Sequence, residues 1–223
     1  MDRDFYFERL YPLQDTILQT LSLLETGFYL SGGTGLSRGY LQHRFSDDLD
    51  LFVNDDARFG LWSTRVIDGL TRIPDARVQI LTREERFTRI VLVANETELK
   101  LELINDVPAH VGAIADHPVL GRLDSAENIF SNKLTAIIDR REPKDFADIW
   151  GLTQKLRLPV GPALEGAHSK AAGIFPADLA RALLSTSPGD WEMVRWIDPP
   201  PCEEFLSGLH RLAEELLLLP PKP

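Results

Sequence analysis

The sequence predicts an α+β chain in which a mixed sheet flanked by helices is followed by a helical C-terminal part. Two observations carry this. Strand-like apolar runs, "DLDLFV", "ARVQILT", "FTRIVLVA" and "ELKLELI", gather in the first half of the chain, whereas from Ser125 onward the apolar residues recur at helical spacing. The expected division is a core over 1–120 that holds a metal and phosphate site, and a helical region over 121–223; one compact unit is the competing arrangement.

From Phe7 to Leu24 the apolar positions Leu10, Leu13, Ile17, Leu18, Leu21 and Leu24 mark an amphipathic helix, which Gly27 is placed to end. "FYLS" reads as a short buried strand entering Gly32-Gly33, with Thr34 as N-cap of a helix reaching about Gln42. In "DLDLFV" side chains switch sides at every residue, so Leu49, Leu51 and Val53 share a dry face and Asp48 and Asp50 the opposite one. A helix over 58–72 follows. In "ELKLELI", Leu99, Leu101 and Leu103 share one face and Lys100 and Glu102 the other, so Glu102 stands beside the aspartates if this strand neighbours theirs. Farther on, Ile129, Leu134, Ile137 and Ile138 form a helical stripe, with Lys133 near it and Arg140 two turns along. Pro143 interrupts and restarts a helix carrying Asp145 and Asp148. The closing "PPKP" is expected to fray. There is no internal repeat.

Composition narrows the function classes. The 223 residues lack an apolar run of the roughly 18 residues that a membrane span needs, so the expectation is a cytoplasmic chain with no membrane partner. Cys202 is the lone cysteine and has no companion for a disulfide or thiolate metal site. A net charge of -10 repels phosphate backbones, so nucleic acid must be met by a local basic patch.

Two carboxylates at i and i+2 on one strand face, with a third from a neighbour, can hold two divalent cations. Adjacent glycines before a helix let the backbone approach phosphates. A Gly-Gly turn alone is usually structural, and Asp-x-Asp alone is usually a solvated face; their occurrence within one short unit carries the weight. His43 lies inside this motif and is a candidate functional group, whereas His110, His117, His168 and His210 lack metal-ligand spacing.

"SGGTGLSRGYLQHRFSDDLDLFV", followed by "NKLTAIIDRREPKDFADIW", resembles the AbiEii/AbiGii-type toxin nucleotidyltransferases of the DNA polymerase β-like superfamily. The resemblance covers roughly 25–150 and implies a polymerase-β-like nucleotidyltransferase core. By that resemblance Gly32, Gly33 and Thr34 form the nucleotide-phosphate turn, and Asp48 and Asp50 the metal pair. Lys133 matches a lysine near the nucleotide phosphates and is expected, as a catalytic residue beside Asp48, Asp50 and Glu102, to stabilise the charge on the departing phosphates; Lys144, Asp145 and Asp148 match a late Lys-Asp block, and Arg44 is grouped with these nucleotide-binding residues. The third carboxylate, commonly Asp in the family, is Glu102 here, with Asp106 as fallback. The implied activity is a Mg2+-dependent transfer, with Mn2+ as the other metal, from a nucleoside triphosphate to an acceptor hydroxyl. The acceptor that the resemblance implies is an RNA 3′ end, transfer RNA first, or a protein. A role as toxin of a toxin–antitoxin or phage-defence pair, with a cognate antitoxin, follows from the same resemblance. The alternative is a nucleotide-binding or protein-interaction module that kept the fold and lost turnover.

Overall fold

The computed structural model describes residues 3–219. "PPKP", expected to fray, lies outside the described residues. The chain divides into two compact units: Met1–Gly39 with Ser46–Pro108 and Ala113–Asp124, and Tyr40–Phe45 with Ala109–Gly112 and Ser125–Pro223.

The first unit is built on strands β1 (Tyr29–Leu30), β2 (Leu49–Asn54), β3 (Arg77–Arg83), β4 (Phe87–Ala94), β5 (Thr97–Asp106), β6 (Ala115–His117) and β7 (Gly121–Leu123). Among the described residues they form one seven-stranded sheet in the order β3-β4-β5-β2-β1-β7-β6. It is mixed: β2 runs parallel to β5 and β1 parallel to β7, while the other pairs are antiparallel. The sequence gives no sign of β6 and β7, because three residues per strand are too few for alternation to register.

Alternation decides which face of β2 and β5 is dry. Leu49, Leu51 and Val53 are buried, as are Leu99, Leu101 and Leu103. Helices α1 (Tyr11–Ser22) and α3 (Phe59–Leu70) supply Ile17, Leu18, Val66 and Leu70 to the same core. Each such side chain contributes about 1.5–3 kcal/mol by leaving water. Gly27 does not end α1, which stops at Ser22. A Cβ at Gly27 would lie 2.2 Å from the Trp62 ring, so the glycine serves close packing instead. Between β1 and β2 stands α2 (Gly32–Leu36), which continues as a π-helical turn over Ser37–Leu41 and stops before Gln42, whose φ is 50°.

The second unit is helical: α4 (Ala126–Asp139), α5 (Pro143–Trp150), α6 (Val160–Lys170), α7 (Pro176–Leu184), α8 (Pro188–Met193) and α9 (Cys202–Leu218). Ser125 caps α4 by accepting from the Asn128 amide at 3.0 Å, and Pro143 opens α5 at a position where its missing N–H costs nothing. Ile129, Leu134 and Ile137 of α4 are fully buried, together with Ile149, Leu179, Leu183, Phe205 and Leu209. Ile138 stands at the edge of the stripe, half-buried. No helix among the described residues is long and apolar enough to cross a membrane.

Candidate active site

The turn from β1 into α2 is shaped by its neighbour β2. The Ser31 amide donates to the Asp50 carbonyl at 2.9 Å, which pins the start of the turn against the strand. Gly32 then adopts φ +61°, and a Cβ there would lie 2.1 Å from Asp50 Oδ2. Only glycine meets both demands: it takes the left-handed conformation without strain, and it leaves the space that the carboxylate occupies. Ser31 is itself fully buried and donates to the buried Asp124 at 2.6 Å.

Thr34 does not cap this helix. The helix begins two residues earlier, at Gly32, with Ser31 in the N-cap position and no side-chain cap bond. Thr34 is buried inside the first turn, where its hydroxyl engages Ser46 Oγ at 2.9 Å and the Asp48 carbonyl. The loop leading into Asp48 is held a second time by Gln14 of α1, fully buried, whose amide donates to the carbonyls of Ser46 at 3.3 Å and Asp47 at 2.8 Å. Arg38 orients Gln14 by donating to its oxygen at 3.0 Å. The backbone that presents Asp48 is therefore fixed by buried polar groups, which are costly to leave unpaired.

The register of β2 on β5 assembles the acidic face. Asp50 pairs with Glu102, and Asp48, one residue before β2 begins, meets Lys100 of β5. Lys100 Nζ lies 2.9 Å from Asp48 Oδ2 and 3.3 Å from Glu102 Oε1, and Arg89 of β4 donates to Glu102 Oε1 at 2.9 Å. Partial burial works against the Lys100 ammonium, but its hydrogen bond to Asp48 and the two carboxylate charges prevail and raise its pKa. Asp106 pairs with Asn54, four residues farther along β5, roughly 13 Å from Glu102 at strand rise. The donor set fits a divalent cation: hard carboxylate oxygens from two adjacent strands, with an ammonium already standing as the positive charge between two of them. Among the described residues no three such side chains close around one point as they stand, because Asp48 and Glu102 turn toward Lys100.

The remaining candidates gather in the helical unit. Asp148, fully buried, takes both arms of the Arg44 guanidinium at 2.7 Å each, Lys133 Nζ at 2.6 Å, and His43 Nε2 at 2.9 Å. Lys133, only 5% exposed, also meets Asp145 Oδ1 at 2.7 Å. Arg140 forks onto Asp145 at 2.8 and 3.0 Å. Lys144 stands apart on the surface, 2.9 Å from Glu142. Burial alone would raise the two aspartate pKa values, but the facing cations reverse this and hold both low, Asp148 well below the usual range. Lys133 is raised, since the two carboxylates outweigh its burial.

Burial lowers the pKa of His43 despite the hydrogen bond to Asp148, so the ring is neutral at pH 7 and its Nε2–H donates to the carboxylate. Nδ1 is buried with no partner among the described residues. Below pH 6.5 the unfolded chain takes up a proton at this histidine that the folded chain refuses. Stability is thus fully present above that pH and falls as pH drops toward the folded pKa. The two depressed aspartates add a further loss only below about pH 3.8. Thermal midpoints are expected to decline between pH 7 and pH 5.5, and His43→Gln to flatten that decline; an equally steep decline in the variant would assign it elsewhere.

Sequence reasoning passed over Lys100, Gln14 and Asp124. Lys100 was visible as the face-mate of Glu102, and Gln14 as a polar residue within the first helix's apolar pattern. Asp124 left no signal, because its partner Ser31 is 93 residues away.

Comparison with known proteins identifies the family. The profile of the nucleotidyl transferase AbiEii toxins of type IV toxin–antitoxin systems matches residues 16–182. Among solved structures, a candidate nucleotidyltransferase from H. pylori superposes with TM-score 0.63 at 18% identity, covering 92% of this chain and 93% of that one. JHP933 from Helicobacter pylori gives 0.62 at 20% identity, over 97% of this chain and 92% of the other. MenT4, a nucleotidyltransferase toxin of Mycobacterium tuberculosis H37Rv, gives 0.61 at 16% identity, over 95% and 84% respectively. At these identities the likeness is one of fold. No curated protein matches the sequence. With the family profile spanning most of its length, from α1 into α7, the chain belongs to the AbiEii nucleotidyltransferase toxin family.

Proposed function

We propose that the protein transfers a nucleoside monophosphate from a nucleoside triphosphate to an acceptor hydroxyl, as the toxin of a toxin–antitoxin or phage-defence pair. The observation that supports this best is the register that sets Asp50 against Glu102, two residues after Asp48 and against the Gly32 turn. In this reading Asp48, Asp50 and Glu102 are the residues that would hold divalent ions, Mg2+ or Mn2+. Bound there, such ions would neutralise the triphosphate and make the acceptor hydroxyl easier to deprotonate. The backbone of Gly32 and Gly33 holds the departing phosphates, while Thr34 and Gln14 keep Asp48 in place. Glu102 accepts the hydroxyl proton, the oxygen attacks the α-phosphate in line, and pyrophosphate leaves.

Lys133, Arg44, Asp145 and Asp148 are assigned to the nucleotide side of the reaction as positioning residues, because the cationic heads of Lys133 and Arg44 are already spent on Asp148. Lys144, exposed, remains free to approach an anionic ligand once released from Glu142. We assign the acceptor to an RNA 3′ end, transfer RNA before a protein hydroxyl. Incubation with Mg2+, labelled nucleoside triphosphates and total RNA or protein tests this: label is expected in one acceptor fraction. Nucleotide binding with no label in any fraction would favour a binding module.

Glu102→Gln is expected to lower kcat about 10²-fold while nucleotide Kd stays within about threefold, since the amide keeps the size but loses the charge. Asp106→Asn should turn over like the parent. The reverse pattern would move the third carboxylate to Asp106.

A further inference from the structure

We propose that Lys100 is a tethered counter-ion that occupies the acidic face until a divalent ion arrives together with the triphosphate, and so makes metal binding depend on nucleotide. This rests on the metal-site reading given above. Strand pairing sets the ammonium there: Glu102 stands opposite Asp50, and two residues earlier on β5 Lys100 reaches Asp48, which precedes β2 by one residue, so a row of Asp48 and Lys100 lies beside a row of Asp50 and Glu102. Its Nζ reaches a carboxylate in each row, at 2.9 Å and 3.3 Å. Arg89 takes the same Glu102 oxygen from the other side. Asp48 and Glu102 are thus already met by two cationic side chains, which removes much of the negative potential that would otherwise draw in a bare metal ion.

A bare divalent ion must therefore break both Lys100 contacts and leave an ammonium, about one-third exposed, without its carboxylates. An ion that arrives with a triphosphate brings anionic oxygens for the released ammonium. The displaced charge is then re-paired by the substrate, and metal and nucleotide each favour the other's binding, as linkage requires.

The test is calorimetric titration of Mn2+ into the full chain, with and without a non-hydrolysable triphosphate. Lys100→Met keeps the stem and removes the charge; it is expected to bind Mn2+ alone about tenfold more tightly than the parent and to lose most of the enhancement that the nucleotide gives. Lys100→Arg should behave as the parent. A Lys100→Met affinity equal to or weaker than the parent's, in a variant whose circular dichroism is unchanged, overturns the proposal. Asp50→Asn distinguishes the metal site from the counter-ion, because it leaves in place Asp48 and Glu102, the two carboxylates that Lys100 meets at 2.9 and 3.3 Å. If Asp50→Asn still binds Mn2+ like the parent, the metal-site reading fails; if it does not bind while Lys100→Met is unchanged, only the counter-ion role fails.

Discussion

Asp50→Asn is expected to reduce nucleotide transfer by about 10³-fold or more while shifting the thermal midpoint by no more than a few degrees. The large effect follows from position. Asp50 is the carboxylate whose oxygen fills the space left by Gly32, so it packs on the β1–α2 turn proposed to hold the phosphates and faces Glu102 across the β2–β5 ladder. No neighbouring carboxylate can take over from that point. The small effect on stability follows from the neighbours: Asn keeps the shape that packs on Gly32, and one fewer negative charge eases repulsion from Glu102. Asp48→Ala should be equally inactive, but without a gain in stability, because Asp48 is already paired with Lys100. With both side chains about one-third exposed, that pair is worth only about 0–1 kcal/mol. Transfer rates measured beside melting curves check both halves. Turnover by Asp50→Asn near the parent rate would remove Asp50 from the site.

What the sequence made legible was what alternation and local motifs encode. The dry and acidic faces of β2 and β5 could be read because side-chain direction in a strand is fixed by position alone. The neighbourhood of Asp50 and Glu102 was stated as a condition, and the parallel ladder supplies it. The N-cap was misplaced at Thr34 because N-cap chemistry favours threonine, whereas the actual start is set by the φ of Gly32 and the carboxylate packed on it. Such a contact across strands has no signature in local sequence. The same holds for the cluster around Asp148: Lys133 and Arg140 read as helix-face cations, yet Arg44, 104 residues before Asp148, completes a buried network with them. Charges that look free in one dimension are matched in three.

That network carries the second large expectation. Asp148→Asn should cost the helical unit about 3–5 kcal/mol, the usual penalty for breaking a buried ion pair by deleting one partner. Asp148 is fully buried and receives four contacts, two from Arg44 and one each from Lys133 and His43. An asparagine amide has the same outline but no charge, and its NH2 group would point a donor at donors. Lys133 keeps Asp145, so the loss falls chiefly on Arg44, 3% exposed, which gives two of its guanidinium donors to Asp148. For a chain of this size such a cost lowers the midpoint by roughly 10 °C. Arg44→Met in the Asp148→Asn background should recover part of it, because it removes the buried positive charge that Asp148 balances. Urea titration followed by circular dichroism reads all three proteins. If Asp148→Asn unfolds at the parent's midpoint, the buried charges are solvated in a way this geometry does not provide for; if Arg44→Met gives no recovery, the cost lies with Lys133 and His43 instead.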